Sequence, residues 1–207
     1  MNINKRNELF EQAVSHITRD GLDNLINWLR NETDFFTAPC STLFHGNFEG
    51  GLLEHSLRVL EFALHNFNRI KAIKPDLEYL KESLIISALL HDVCKVNTYK
   101  RNDEKWTKID NRWAKYSGWD FEDTFPLGHG EKSVYLISKH IELKEVEALA
   151  IRWHMSAFEP GVAIEGPTKW AYEAAANHPL VRIIHSADNL ATIVETTLDL
   201  KSKAIIK

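Results

Sequence analysis

The chain has 207 residues, of which 44% are hydrophobic and 26% are charged, and its formal net charge is −4. This composition is typical of a soluble globular protein with a buried core, and the near-neutral charge argues against bulk attraction to nucleic acid or membranes. No apolar run reaches the roughly 18 to 20 residues of a membrane span, and the start, MNINKRNELFEQ, lacks the apolar stretch of a secretory signal. We therefore expect a cytoplasmic protein with no membrane partner.

The first half of the chain has apolar residues at helical spacing. The pattern predicts helices within residues 1–40 with a break near Gly21, and an irregular segment from 31 to 51. A helix follows in LLEHSLRVLEFALHNF, and the next one, at about 77–95, is apolar nearly all round. Such a helix is expected at the centre of the core.

Residues 96–126 have a different pattern, with aromatic and β-branched residues around the turn-like RNDEK. This predicts a two-stranded hairpin or a long ordered loop inserted in the domain. Helical spacing returns in GEKSVYLISKHI and KEVEALAIRWHM, in a short helix at about 168–176, and in a long last helix that begins at HPLVRIIHSADNL. The sequence thus predicts an all-α fold with one small insertion, in a single domain of residues 1–207, with two small domains as the alternative.

Several buried elements carry ionisable residues. His55 lies in an otherwise apolar helix, His91 and Asp92 end the central helix, and Asp188 interrupts the apolar run of the last helix. A buried carboxylate is costly unless its charge is compensated, and a divalent ion with imidazole ligands can compensate it. Each residue taken alone is also explained as a hydrogen-bonded structural group, but the joint pattern favours a metal site.

These residues resemble the H…HD…D signature of the HD-domain metal-dependent phosphohydrolases, with Lys95 following the HD doublet. The strings FHGNFEGGLLEHSL, ALLHDVCK, LGHGEKS, AIRWHM and ADNLAT resemble, in this order, the HD module of some 3′-to-5′ exoribonucleases and of stand-alone phage and bacterial HD proteins. The resemblance covers about residues 43–195 and implies an HD-domain helical bundle over this core. Cys94 stands where the family often has glycine, and we expect it to pack rather than to bind metal.

The resemblance implies one or two divalent ions. The first ion would have two imidazole and two carboxylate ligands: His55, His91, Asp92 and Asp188. In two-metal members two further histidines bind a second ion, which the doublet's aspartate bridges; His129 and His154 match those places, although they could instead contact a substrate phosphate. Imidazole and carboxylate ligands suit Mn, Fe, Co, Ni, Zn or Mg.

Other residues receive supporting roles. Asp92 and Lys95 are the predicted catalytic residues, because Lys95 follows Asp92 by three positions and its ammonium can stabilise charge on a phosphate. Lys95, Arg58 and His45 are predicted to bind substrate. His185, one turn before Asp188, is predicted to orient a metal ligand.

The insertion bears on the substrate. Between residues 95 and 115 seven basic residues stand against three acidic ones, with aromatic residues interleaved: Trp106, Trp113, Tyr116 and Trp119. Cations and flat rings suit a nucleotide or a single strand, whose phosphates and bases they can contact. The alternative is that the aromatic residues pack the hairpin onto its domain.

The leading functional hypothesis is a metal-dependent phosphohydrolase that uses a metal-activated hydroxide to cleave a phosphoester or phosphoanhydride of a nucleotide or of a short nucleic-acid end. One alternative is a non-catalytic nucleotide-binding HD module, against which the complete ligand set argues. Another is a di-iron HD-type oxygenase, which would be recognised by two bound irons whose absorbance changes under oxygen.

Overall fold

The structure is a computed structural model that describes residues 1–109, 111–159 and 162–204. This part of the chain forms eight α-helices and one two-stranded antiparallel sheet, in the order α1 Ile3–Val14, α2 Leu22–Asn31, α3 Gly51–Lys71, α4 Lys81–Leu90, β1 Tyr99–Ile109, β2 Arg112–Phe121, α5 His129–Ile137, α6 Glu145–Arg152, α7 Pro167–Ala175 and α8 Pro179–Ala204. The predicted all-α bundle with a hairpin insertion is confirmed. Asp110, one of the three acidic residues counted near the hairpin, lies outside the described residues.

Helix α4 lies at the centre of the core, as its apolar composition predicts. Every residue from Ser83 to Leu90 is buried. α3 packs against α4 and α8, and α6 packs against the same two helices, so that α4 is enclosed by long amphipathic elements. No helix in the described ranges has both the length and the apolar character needed to cross a membrane.

The central helix is shorter than the predicted span of about 77–95. A 3₁₀ segment at 75–80 precedes α4, the α-helix ends at Leu90, and a 3₁₀ turn at 93–95 follows. Ser133 of α5 explains the end of the helix, because its hydroxyl donates to the His91 carbonyl at 2.6 Å and accepts from the Cys94 amide at 3.0 Å. These backbone groups are therefore bonded to a side chain instead of continuing the helix.

The segment before α3 is folded tightly against the start of that helix. A Cβ at Gly51 would lie 1.9 Å from the Gly46 carbonyl oxygen, so only glycine permits this approach. The Cys40 amide also donates to the Gly46 carbonyl, at 2.8 Å. The turn thereby holds Cys40 and His45 beside the helix that carries His55.

The hairpin is anchored at its base and extends away from it. Its register runs from the Tyr99–Phe121 pair to the Ile109–Arg112 pair, with an irregularity between Asn102 and Lys105. The Tyr99 hydroxyl donates to the Cys40 carbonyl at 3.3 Å, and the Trp119 indole donates to the Asn47 carbonyl at 3.3 Å. The base of the hairpin therefore contacts the turn that precedes α3.

A buried ion cluster joins the first helices to the core. Arg19, between α1 and α2, donates to both oxygens of Glu147 of α6, at 2.8 and 3.0 Å, and to Glu82 of α4 at 3.2 Å. Glu147 is fully buried, and the Ser83 hydroxyl also donates to it at 2.7 Å. Removal of the arginine would leave this carboxylate without a cation, which is costly in the interior.

We expect Arg19→Ala to lower the free energy of unfolding by about 3 kcal/mol, because it uncovers the buried charge of Glu147. Urea unfolding followed by circular dichroism measures the loss. Lys5→Ala is the control, since Lys5 pairs with Glu8 on an exposed face at 3.1 Å, and its loss should stay below about 0.5 kcal/mol. Equal losses in the two variants would contradict the role given to the cluster.

Candidate metal centre

The six side chains predicted to bind metal meet in one place, although they come from separate elements. His55 lies on α3, the His91-Asp92 doublet follows α4, His129 begins α5, His154 follows α6 and Asp188 lies on α8. Their donor atoms, with those of two neighbours, form overlapping triplets within 4.8 Å: Cys40–His45–His55, His55–His91–Asp92, His91–His154–Asp188 and Asp92–His129–His154. That these residues bind metal remains a prediction, which the following geometry supports.

The two carboxylate oxygens of Asp92 face different pairs of imidazoles. Oδ1 accepts from His129 Nε2 at 2.8 Å and lies 3.5 Å from His154 Nε2. Oδ2 lies 3.7 Å from His55 Nε2 and 3.5 Å from His91 Nε2. One carboxylate is thus shared by two groups of nitrogen donors, which is the arrangement that a bridging ligand between two ions requires.

Backbone carbonyl groups orient two of the imidazoles. His91 Nδ1 donates to the Ala88 carbonyl at 2.8 Å, and His154 Nδ1 donates to the Ile151 carbonyl at 2.7 Å. Each bond turns Nε2 toward Asp92, as second-sphere contacts of metal-binding histidines do. His154 Nε2 is buried and has no hydrogen-bond partner within the described residues.

This unpartnered nitrogen tests whether a metal ion fits. Buried polar atoms are rarely left without a partner, and a divalent ion would supply one for His154 Nε2. Donor atoms of one ion at about 2.1 Å lie about 3.0 to 3.4 Å apart in octahedral or tetrahedral geometry. His55 Nε2 lies 3.4 Å from His91 Nε2 and 3.2 Å from Asp188 Oδ1, so these separations fit a shared ion.

The electrostatic state of the site also favours a cation. Burial raises the pKa of the Asp92 carboxyl, but Lys95 and then His91 outweigh burial and hold that pKa well below its usual range. Burial lowers the pKa of His91 to about 3, so this ring is neutral near pH 7. Asp92 is therefore an ionised carboxylate beside a neutral nitrogen donor, and both forms are those that bind metal.

His154 and His55 indicate where positive charge is favoured. Burial lowers the pKa of His154, yet its contact with Asp92 reverses the effect and the pKa is raised. Burial likewise opposes protonation of His55, but the carboxylates of Asp188 and Glu195 outweigh burial and raise its pKa well above the ordinary value. A proton on these rings and a metal ion beside them are alternative ways to neutralise the same carboxylates.

Lys95 supplies a fixed positive charge at the edge of the cluster. Its ammonium donates to Asp92 Oδ2 at 2.6 Å and to Cys40 Sγ at 3.4 Å. Burial lowers the pKa of Lys95, but Asp92 outweighs it and the pKa is raised well above its usual value. The predicted proximity of Lys95 and Asp92 holds, although it arises from the 3₁₀ turn and not from a continued helix.

Arg58, which is predicted to bind a substrate phosphate, contacts two carboxylates of the protein in this structure. Its guanidinium donates to Glu195 at 3.1 Å and to Glu54 at 3.3 Å, both on the protein. Glu195 in turn accepts from His55 Nδ1 at 2.9 Å. The contacts of Arg58 therefore assign it to holding the carboxylate that orients His55.

Sequence reasoning missed Glu195, which completes this chain of contacts. Glu195 follows Asp188 by seven residues, two helical turns later on the same face of α8, and this spacing was the available signal. A carboxylate on Nδ1 fixes the ring orientation and raises the basicity of Nε2. Glu195 is thus the outer partner of His55, as the Ala88 carbonyl is of His91.

The remaining predicted residues lie at the rim of the cluster. His185 Nδ1 donates to the His154 carbonyl at 2.7 Å, a contact that fits its predicted orienting role. The His45 ring centre lies 5.0 Å from that of His55, and burial first and then His55 lower the pKa of His45 to about 4. Cys94 Sγ lies 3.4 Å from His129 Nδ1, and burial raises the pKa of this thiol to about 12, which agrees with packing.

Cys40 is a second residue that sequence reasoning missed. It is buried, and its Sγ lies 3.9 Å from Asp92 Oδ2. Burial raises its thiol pKa, so in this structure it is a neutral neighbour of Lys95. No spacing in the sequence relates it to the HD doublet, because the tight turn at Gly46 brings it there.

Comparison with known proteins agrees with the position of this cluster. A family model described as HD domain matches residues 52–193, which include all six predicted ligands. A curated relative, the dihydroneopterin 2',3'-cyclic phosphate phosphodiesterase of Methanocaldococcus jannaschii, is 34% identical over 67 residues, or 32% of this chain and 26% of the relative. The chain thus spans about a quarter of the length of this relative. No solved structure matches the chain significantly.

The two sides of Asp92 predict a stepwise loss of metal. Asp92→Asn should remove both ions, because it weakens the ligand that the two ions would share, whereas His154→Ala should remove one ion and Asp188→Asn the other. Elemental analysis of protein purified with Mn²⁺ measures the stoichiometry. His65→Ala, an exposed histidine on α3, should keep the wild-type content; full metal content in Asp92→Asn would refute the site.

Glu195→Gln should weaken metal binding by roughly 10- to 100-fold, because an amide holds His55 in place but no longer raises the basicity of its Nε2. Competition with a chromophoric chelator measures the affinity. Glu61→Gln, an exposed residue of α3, is the matched control. Unchanged affinity in Glu195→Gln, with a native circular dichroism spectrum, would show that Glu195 has no part in the site.

Proposed function

The chain belongs to the HD domain family, and we propose that it is a metal-dependent phosphohydrolase that cleaves a phosphoester or phosphoanhydride of a nucleotide or of a short nucleic-acid end. The observation that carries this proposal is the buried Asp92 carboxylate, whose two oxygens face separate pairs of imidazoles while Lys95 stands beside it. Such an arrangement suits two ions at a reacting phosphate better than a single structural ion.

The residues that would hold the ions divide around Asp92. His55, His91 and Asp188 lie on one side, and His129 and His154 lie on the other. Divalent ions held there would polarise phosphoryl oxygens and lower the pKa of water to near neutrality. The protein's part is to orient the nitrogen donors and, at His91, to keep the ring neutral, which the carbonyl contact and the burial of His91 accomplish.

Lys95 and His129 are the members of the cluster placed to meet a substrate. The Lys95 side chain is 17% exposed and that of His129 is 32% exposed, whereas His55, His91 and His154 are almost fully buried. A permanent ammonium at this place stabilises charge that develops on phosphate oxygens during displacement. His129 can serve as a metal ligand or contact a phosphate oxygen directly, and either role brings the phosphate close to Asp92, which both His129 and Lys95 contact.

Two observations support a phosphodiester or nucleotide as the substrate. The curated relative is named as a cyclic phosphate phosphodiesterase, so a cyclic phosphodiester belongs among the candidates for this chain. The hairpin that follows Lys95 carries aromatic and basic residues, which suit bases and phosphates. We therefore propose cyclic nucleotides and nucleotide ends as the first substrates to examine.

The metal-loaded protein should hydrolyse at least one member of a panel of nucleoside triphosphates, monophosphates, 2',3'- and 3',5'-cyclic nucleotides and short oligonucleotides. Mn²⁺, Mg²⁺, Co²⁺ and Ni²⁺ are supplied in turn, and products are separated by chromatography. Chelation should abolish the activity and readdition of the ion should restore it. Absence of hydrolysis across the panel, with metal bound, would overturn the proposal.

In the same assay Lys95→Met should lower kcat by about 10²-fold, because the transition state loses its fixed cation. Metal content is measured on the same sample, so that loss of an ion is distinguished from loss of the charge. Lys139→Met, an exposed lysine after α5, is the control and should retain full activity.

A further inference from the structure

One face of the hairpin carries aromatic and basic side chains at both of its ends, with Ser117 and the irregular position of β1 between them. Residues at alternate positions of β2 share a face, and residues directly opposite on β1 share it with them. The pairs on this face are Lys108–Trp113, Trp106–Lys115, Arg101–Trp119 and Tyr99–Phe121. We call this face the aromatic strip; three of its four pairs combine one ring with one cation.

The rings of Trp106 and Trp113, at the outer end of the strip, are exposed, whereas Trp119 at its base contacts the domain, as the packing alternative expects. Trp106 is 58% exposed and Trp113 is 66% exposed. The Lys108 ammonium lies 5.3 Å from the centre of the Trp113 ring, and the Arg101 guanidinium lies 5.3 Å from that of Trp119. Large rings left in solvent and interleaved with cations are the features of a surface that stacks bases and contacts phosphates.

The inner end of the strip reaches the metal centre. Tyr99 follows Lys95 by four residues, and its hydroxyl donates to the carbonyl of Cys40, whose thiol contacts the Lys95 ammonium. From Tyr99 to Trp106 the strand advances about 20 Å, at about 3.3 Å per residue with one irregular position. The strip therefore leads outward from the cluster to the tip of the hairpin.

The segment that contains most of the strip has an excess of positive charge, which suits a polyanionic ligand. Seven basic residues stand against three acidic ones between residues 95 and 115, in a chain whose net charge is −4. Two acidic residues at the irregular position pair with cations of the strip, Asp103 with Arg101 and Glu104 with Lys115. These pairs are exposed, so a phosphate can compete for either cation at little cost.

We propose that the aromatic strip binds single-stranded nucleic acid and directs one of its ends to the metal centre. The inference rests on the proposed function for what happens at that end. Stacked nucleotides advance about 3.4 Å each, so a strand of about six nucleotides is needed to reach from the cluster to Trp106 and Trp113. Mononucleotides and dinucleotides are too short to contact the outer rings, and the proposal therefore predicts affinity that depends on length.

The test measures the affinity of the metal-loaded protein for two lengths of oligo(dT), a 2-mer and a 12-mer, by fluorescence anisotropy. Both oligonucleotides have phosphorothioate linkages, which resist hydrolysis. The 12-mer should bind at least 30-fold more tightly than the 2-mer. The double variant Trp106→Ala/Trp113→Ala should bind the 12-mer roughly 30-fold or more weakly than the wild type, because two stacking partners are removed. Trp106→Phe/Trp113→Phe should keep most of the affinity for the 12-mer, since the rings remain.

Trp170→Ala is the matched control, because Trp170 is an exposed tryptophan of α7 outside the hairpin, and it should bind the 12-mer like the wild type. Equal affinity for the 2-mer and the 12-mer would refute nucleic-acid binding by the strip, even if the protein hydrolyses mononucleotides. Length-dependent binding by a protein that hydrolyses nothing would support the strip and refute the proposed function. A change of oligomeric state in the alanine variant, with unchanged affinity for the 12-mer, would make the strip a contact between copies and overturn the proposal.

Discussion

The buried negative charge of Asp92 is the constraint on which the rest of the site depends. Its side chain is 3% exposed, and a carboxylate at such a depth carries a desolvation cost of several kcal/mol that only nearby positive charge offsets. Lys95 supplies one permanent cation, and four imidazoles surround the remaining lone pairs. The cluster is therefore stable as an anion only because its surroundings accept positive charge, whether as protons or as metal ions. This explains why α4, whose residues are mainly apolar, is followed directly by the ionisable residues His91 and Asp92.

The ends of two helices orient the imidazole rings around Asp92. α4 ends one residue before His91, and α6 ends two residues before His154. The last carbonyls of a helix have no partner within it, and in both cases the histidine donates through Nδ1 to the carbonyl three residues earlier. The same bond satisfies the helix end and turns Nε2 toward Asp92. His55 lies inside a helix, where no carbonyl is free, and Glu195 with Arg58 provides the equivalent contact from α8 and α3.

The parts of this arrangement differ in how far the sequence predicts them. The helices, the hairpin and the six candidate ligands follow from local periodicity and from a motif whose members lie on separate buried helices. The end of α4 at Leu90 does not, because it depends on Ser133, which is 43 residues away and carries no local signal. Cys40 and the role of Arg58 are likewise set by tertiary contacts, the first by a glycine turn and the second by a carboxylate on another helix. Local patterns thus predict which residues are available, and long-range packing decides what each of them contacts.

Lys95, a partly exposed member of the cluster, lies close to the point where the chain enters the hairpin. The donors His55, His91 and His154 are almost fully buried, whereas His129, Lys95 and Asp188 keep part of their side chains exposed. A phosphate can reach the cluster through these exposed members, and Lys95 stands where the chain leaves the cluster to form β1, with Tyr99 four residues later. A substrate that extends beyond its reacting phosphate can therefore pass along the base of the hairpin. Because the insertion begins directly after the 3₁₀ turn, the surface of the hairpin can vary without disturbing the buried charges that orient the predicted metal ligands.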